Sequence, residues 1–168
     1  SDNMSIFMVG WGANTVHLIY PKGTTAGLEH EDKGKQIMLD ASSNPLDVYV
    51  DKFCWRLGLC VRDYRYVVRI ANIDASALTV DASAGANLYD LLVNAYWQFK
   101  QRQIGVSMPV IYAPTRVMRF LDHQARQGNT RILLHWQEYG GQSKPTLMFR
   151  DMPIRETNAL TEAEALAA

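Results

Sequence analysis

The 168-residue sequence has little of what usually announces a chemistry. It holds two cysteines, Cys54 and Cys60, too few for a disulfide framework. Read on one extended strand, they lie about 20 Å apart, beyond disulfide reach. They are expected as buried free thiols in a reducing compartment. An excess of one charge is also missing, because seventeen Lys and Arg balance seventeen Asp and Glu. That balance argues against a nucleic-acid binder, which displaces counterions with a basic surplus. It argues equally against a polybasic membrane-surface protein. No apolar run approaches the roughly 20 residues of a bilayer-crossing helix, and no secretory signal pattern opens the chain. Ser1 stands where methionine would, so a processed or partial chain is expected.

Catalytic motifs are missing too. There is no HExxH, no CxxC, no EF-hand loop and no GxSxG elbow. Gly10-Trp11-Gly12 has two of the three glycines of a dinucleotide fingerprint but no helix after them. Gly34-Lys35-Gln36 lacks the upstream glycine and the hydroxyl of a phosphate-binding loop. His30-Glu31-Asp32 is the richest polar cluster. Neighbours on a strand point to opposite faces, so it reads as a solvated loop, with metal or acid–base use as the alternative. Asp63, Asn72 and Asp74 could form a carboxylate site but have no partners at a recognisable spacing. No catalytic, cofactor-binding or metal-binding residues are assigned, and the chain reads as non-enzymatic.

What is present is core-forming material. Apolar residues make up 48% of the chain, and about 70% of the unfolded surface can be buried at this length. Residues 5–9 and 15–20 read as strands, and 22–35 as a polar loop. Residues 35–40 and 46–62 flank the turn signal Ser42-Ser43-Asn44-Pro45, which predicts a hairpin with a long second arm. Residues 61–70 are ambiguous: Arg62, Arg65 and Arg69 have helical spacing among β-favouring residues. Residues 74–87 are small and polar, hence a loop. The spacing predicts a helix over 88–101, capped by Asn87 with Asp90 in its first turn. Its inward stripe is Leu88, Leu91, Leu92, Ala95, Tyr96 and Phe99. Residues 108–112 read as a strand, and Pro114 opens a second helix with Val117, Met118, Leu121 and Ala125 inward. Residues 131–136 are a strand or a further turn, and 146–150 and 152–157 are short strands. Thr161 and Glu164 have capping-box spacing in a tail expected to fray. The order gives an α+β domain, helices packed on a mixed sheet, over residues 1–160, with a tail at 161–168.

Several residues suit self-association. Val93 and Trp97 fall opposite the main stripe of the first helix. Trp97 is therefore either an interface anchor or buried between two layers. Arg116, Arg119, His123 and Arg126 form a basic stripe on the second helix, either a solvated face or a contact for an acidic neighbour. His17, within an apolar strand, reads as a core or interface histidine. Most of the four tryptophans are expected in the core.

Four strings carry a resemblance: SIFMVGWGANTVHLIYPKGTTAGLEHED, FCWRLGLCVRDYRYVVRIANID, PVIYAPTRVMRFLDHQA and FRDMPIRETNALTEAE. Together they resemble, in order and over nearly the whole chain, the C-terminal half of major capsid proteins of tailed bacteriophages or prophages. The resemblance implies the Hong Kong 97 type of capsid fold, here largely its axial domain with adjoining strands and a permuted element order. It implies that the N-terminal arm, the extended loop and the spine helix lie outside this chain. It further implies a shell-forming structural subunit that assembles with copies of itself into pentamers and hexamers of an icosahedral head. The head would enclose double-stranded DNA, touched only non-specifically. Scaffold, portal or decoration proteins would be further partners, with no membrane and no cofactor. The location would be the virion, and the host cytoplasm during assembly. Two alternatives remain open at this point: a small hydrolase or metal-binding domain, and a module that decorates another assembly.

Overall fold

The computed structural model describes residues 2–81, 83–99, 107–126, 134–138 and 145–167, and the backbone alone at 126, 134–138, 145 and 146. Two compact units emerge. The first comprises residues 1–16 and 61–168, the second residues 17–60.

The first unit is built on a mixed sheet. Strand β1 (Asn3–Trp11) pairs antiparallel with β6 (Val67–Asp74) on one side and with β7 (Met108–Ala113) on the other. Strand β10 (Met152–Glu156) runs parallel to β7, and β9 (Pro145–Phe149) and β8 (Leu134–Glu138) continue the sheet antiparallel. Central β1 shows why alternation fixes its register. Met4, Ile6 and Met8 are fully buried, whereas Phe7, Val9 and Trp11 on the opposite face are half-buried. Gly10 continues the buried row, where an added Cβ would lie 3.0–3.1 Å from Tyr66, Phe99 and Ser107.

Two helices cover the buried row. Helix α1 (Leu88–Gln98) begins as expected, with the Asn87 side chain accepting from the Asp90 amide, and ends at the Phe99 cap. Helix α2 (Thr115–Arg126) sends Val117, Leu121 and Ala125 into the same core. Sequence-predicted residues 100–101 of the first helix and 131–133 of the next segment lie outside the described residues. The α+β architecture with a mixed sheet is the one the element order predicts.

Residues 61–70 resolve into the end of a short strand at Val61, a 3₁₀ turn at Tyr64–Tyr66 and the start of β6. Strand propensity and pairing to β1 outweigh the helical spacing of the arginines. The frayed tail is a correction. The Glu164 amide donates to the Asn3 carbonyl at 2.9 Å, and Asn72 and Ala167 exchange two hydrogen bonds. Ser5 Oγ donates to Glu164 Oε2, Arg69 Nη2 donates to the same oxygen at 2.9 Å, and Arg69 Nε donates to Ser5 Oγ at 3.1 Å. Ser5 is fully buried, so its hydroxyl needs those partners. Helical capping signals lose here because long-range backbone acceptors are within reach. Glu164→Ala is expected to cost about 1 kcal/mol, since the Arg69 partner is partly solvated. Thermal unfolding would fall by about 3 °C at this chain length. An unchanged midpoint would show the tail contacts to be idle.

The second unit is a hairpin on a short base. Strands β3 (Leu28–Leu39) and β4 (Pro45–Trp55) pair antiparallel from Leu28↔Trp55 to Leu39↔Pro45, with a register shift between Asp32 and Lys35. Strands β2 (Val16–Ile19) and β5 (Gly58–Val61) adjoin it in sequence and are hydrogen-bonded neighbours. The predicted turn is present. Asp40 Oδ1 accepts from the Asn44 and Ser42 amides, which holds its carboxyl below the usual carboxylate range. The predicted loop at 22–35 is corrected, because β3 begins at Leu28. Its polar residues are compatible with a strand exposed on both faces, and Gly34, at φ +66°, absorbs the bulge. None of the buried hydrophobic side chains lies between residues 17 and 60.

Candidate interaction surfaces

The polar clusters singled out by sequence are occupied locally. His30, Glu31 and Asp32 lie on a strand rather than in a loop, which is a correction. His30 Nε2 meets Asp51 Oδ1 at 2.9 Å and its ring stacks on Phe53 at 4.5 Å. Asp32 accepts from the Gly34 amide. Asp63 binds the Arg65 guanidinium at 2.6–3.0 Å and also its amide, which lowers the carboxyl pKa and raises that of the arginine. Asp74 is held low by the Ser76 hydroxyl and amide, and Asn72 is engaged with Ala167. Each of the three is thus engaged by a different partner. Among the described residues, no three His, Cys, Asp or Glu side chains are grouped as a metal would require.

The cysteines also depart from expectation. Cys54 is on β4 and Cys60 on β5, because the chain leaves extended pairing at Arg56 and Leu57. Both are free thiols, and both are half-buried rather than buried. His17 is half-buried.

The interface candidates divide. On α1, Val93 packs against the core, whereas Trp97 is 63% exposed. Trp97 stands edge-on to Tyr96, with the Arg150 guanidinium 4.0 Å from the Tyr96 ring centroid and 6.0 Å from that of Trp97. An exposed aromatic held by a neighbouring ring and a cation suits an anchor, because little side-chain freedom remains to be lost on contact. On α2, Arg116 and Arg119 are exposed and His123 is half-buried. Arg116 reaches the Ala75 carbonyl at 3.4 Å, and Arg119 lies 5.2 Å from the Phe120 ring centroid. The side chain of Arg126 lies outside the described ones.

Sequence reasoning missed two features. The first is the aromatic ladder of the hairpin. Successive side chains alternate, so Trp55, Phe53 and Tyr49 share one face with Leu28, Ile37 and Leu39. Tyr49 is 83%, Trp55 68% and Phe53 66% exposed, so Trp55 is not a core residue as expected. The signal was available in the period-2 spacing of 49–55, once both strands were recognised. The second is Gln124, which is 2% exposed. Its Oε1 accepts from the Leu88 amide at 3.1 Å, and its Nε2 donates to the carbonyls of Ala86 at 2.9 Å and Thr79 at 3.0 Å. One amide thus ties the start of α1 and the 74–87 loop to α2. Its position, three after Leu121 and seven after Val117, placed it on the inward face.

An α+β domain on a mixed sheet, with exposed aromatic and basic surfaces on hairpin and helices, defines a protein that works through its surfaces. The chain belongs to the family described as Major capsid protein GP7, whose model matches residues 1–168. It is also similar to a chain in the validated near-atomic resolution structure of bacteriophage Epsilon15, derived from cryo-EM and modeling. That likeness has 34% sequence identity and a TM-score of 0.64, covering 99% of this chain and 49% of that one. The present chain therefore spans about half the length of its solved relative. Among curated proteins, none matches it.

Proposed function

We propose that this chain is the shell-forming part of a major capsid subunit of the Hong Kong 97 type, residues 1–160 acting together as a fragment of a longer protein. The carrying observation is the match of the capsid family over the whole chain, supported by the 34% identical chain from the structure of bacteriophage Epsilon15. Subunits assemble with their own kind into pentamers and hexamers, where symmetry multiplies weak contacts. A balanced charge suits close packing of many copies. Scaffold, portal or decoration proteins are further partners. The packaged double-stranded DNA is touched only through its backbone, and assembly takes place in the host cytoplasm.

The test is negative-stain electron microscopy and sedimentation of the full-length gene product. Closed shells or polyheads are the expected result, with or without the neighbouring scaffold candidate. A small oligomer that no scaffold candidate converts to shells would overturn the reading. Trp97→Ala and Arg119→Glu are expected to reduce shell yield severalfold while leaving subunit unfolding within about 1 kcal/mol of wild type, because both side chains are exposed. Normal particles from both variants would remove the interface role of these two residues.

A further inference from the structure

The 17–60 unit poses a physical problem. It contains no buried hydrophobic side chain, and its hairpin is a two-stranded sheet, a form that is marginal in water on its own. One face of that hairpin nevertheless carries Trp55, Phe53 and Tyr49 with Leu28, Ile37 and Leu39. Three aromatic side chains at this exposure offer on the order of 400 Å² of contact, about half of what one partner contributes to a standard interface. An apolar patch of this size on a polar frame is a binding surface.

Charge selects the occupant. Residues 28–55 hold six carboxylates (Glu29, Glu31, Asp32, Asp40, Asp47 and Asp51) against three lysines. Asp47 and Asp51 alternate with Tyr49 and Phe53 on the aromatic face, where Lys35 pairs with Asp47 at 2.6 Å and His30 with Asp51 at 2.9 Å, both in exposed pairs that a partner's cations can share. Helix α2 has the opposite sign, with Arg116, Arg119 and Arg126 against Asp122. The spacings lie within about 3 Å of each other. Asp47 and Asp51 are about 13 Å apart along a strand. Arg116 and His123 are about 10 Å apart along a helix. A guanidinium can bond a carboxylate and lie over an adjacent ring at once.

We propose that the aromatic, acidic face of the hairpin docks on the basic face of α2 in a second copy of this chain. The proposal rests on the shell reading and names one contact within it. Contact is heterologous, with hairpin to helix at each junction, so it propagates around a ring rather than stopping at a pair. The aromatic rings supply burial, and the aspartates set partner and register.

A charge-swap series on the full-length subunit tests this, read as the fraction of protein recovered in particles. Asp47→Lys with Asp51→Lys is expected to lower that fraction at least tenfold. Arg116→Glu with His123→Glu is expected to do the same. The four substitutions together restore it to within about twofold of wild type, an outcome that misfolding of either pair cannot produce. Wild-type yield from both pairs would overturn the docking and assign the hairpin face to another occupant, while leaving the shell reading intact. Losses in both pairs without rescue would also overturn it. A wild-type subunit that stays monomeric in sedimentation velocity, even with scaffold candidates added, would defeat the shell reading and the docking together.

Discussion

Replacing Gln124 by leucine is expected to lower the unfolding free energy by about 3 kcal/mol, among the larger effects a single substitution produces. The volume is nearly conserved, so the loss is not that of a cavity. It comes from three backbone groups left without their partner: the Leu88 amide and the Thr79 and Ala86 carbonyls. Each such group, cut off from water, costs about 1–3 kcal/mol. Relaxation of the 74–87 loop would let water reach some of them, which keeps the sum toward the lower end. At this length the thermal midpoint would fall by about 10 °C. Chemical denaturation of wild type and variant checks the value. A change below 1 kcal/mol would mean that the loop repairs these bonds with water and that Gln124 is not the clamp. The surface substitution Arg119→Glu on the same helix is the control, expected to stay within about 1 kcal/mol.

Gly27→Ala is the second large effect, and it should be local. Gly27 has φ +82°, and an added Cβ would sit 2.3 Å from the Arg56 carbonyl oxygen. The obstacle is backbone, so no side chain can turn aside. The left-handed conformation alone costs about 1–2 kcal/mol for a residue with a Cβ. The clash adds the separation of two chains that now bond, the Arg56 amide donating to the Gly27 carbonyl at 2.9 Å. A local cost of about 3 kcal/mol raises amide exchange at Arg56 roughly 100-fold. Global unfolding should barely move, because the 17–60 unit contributes nothing to the buried hydrophobic cluster. Gly34→Ala separates the two causes. Gly34 also has positive φ, but nothing lies within 4 Å of its would-be Cβ, so only the conformational cost applies. Equal exchange rates in the two variants would show that the Arg56 carbonyl moves away freely.

The docking proposed for the hairpin gives Gly27 a further consequence. A hairpin opened at its base presents Trp55 and Phe53 in altered register. Gly27→Ala should then reduce particle yield although the main fold remains intact.

Much of this molecule was legible in its residues. Leu88, Leu92 and Ala95 at helical spacing, with Asn87 before them and Asp90 after, determined α1 locally. The continuous apolar run at residues 5–9 determined a buried strand, and Ser42-Ser43-Asn44-Pro45 determined a turn. The long shared strings determined the family, because a capsid half leaves a sequence signature even where no catalytic motif exists.

The rest depended on partners distant in the chain. Residues 28–35 carry charge and glycine as a loop would, and become a strand because β4 pairs with them across a bulge. Residues 161–167 carry helical capping signals, yet contacts with Asn3, Ser5, Arg69 and Asn72 hold them out of a helix. Gln124 looks like any helix glutamine until α1 and the 74–87 loop bring three backbone groups to its amide. Trp97 and Trp55 are both apolar enough for a core, and only the packing of the sheet, the helices and the hairpin leaves them outside. Local sequence determines conformations whose competing states differ within a few residues. Burial and polar satisfaction are settled by groups tens of residues away, and they are known only once the tertiary structure has brought those groups together.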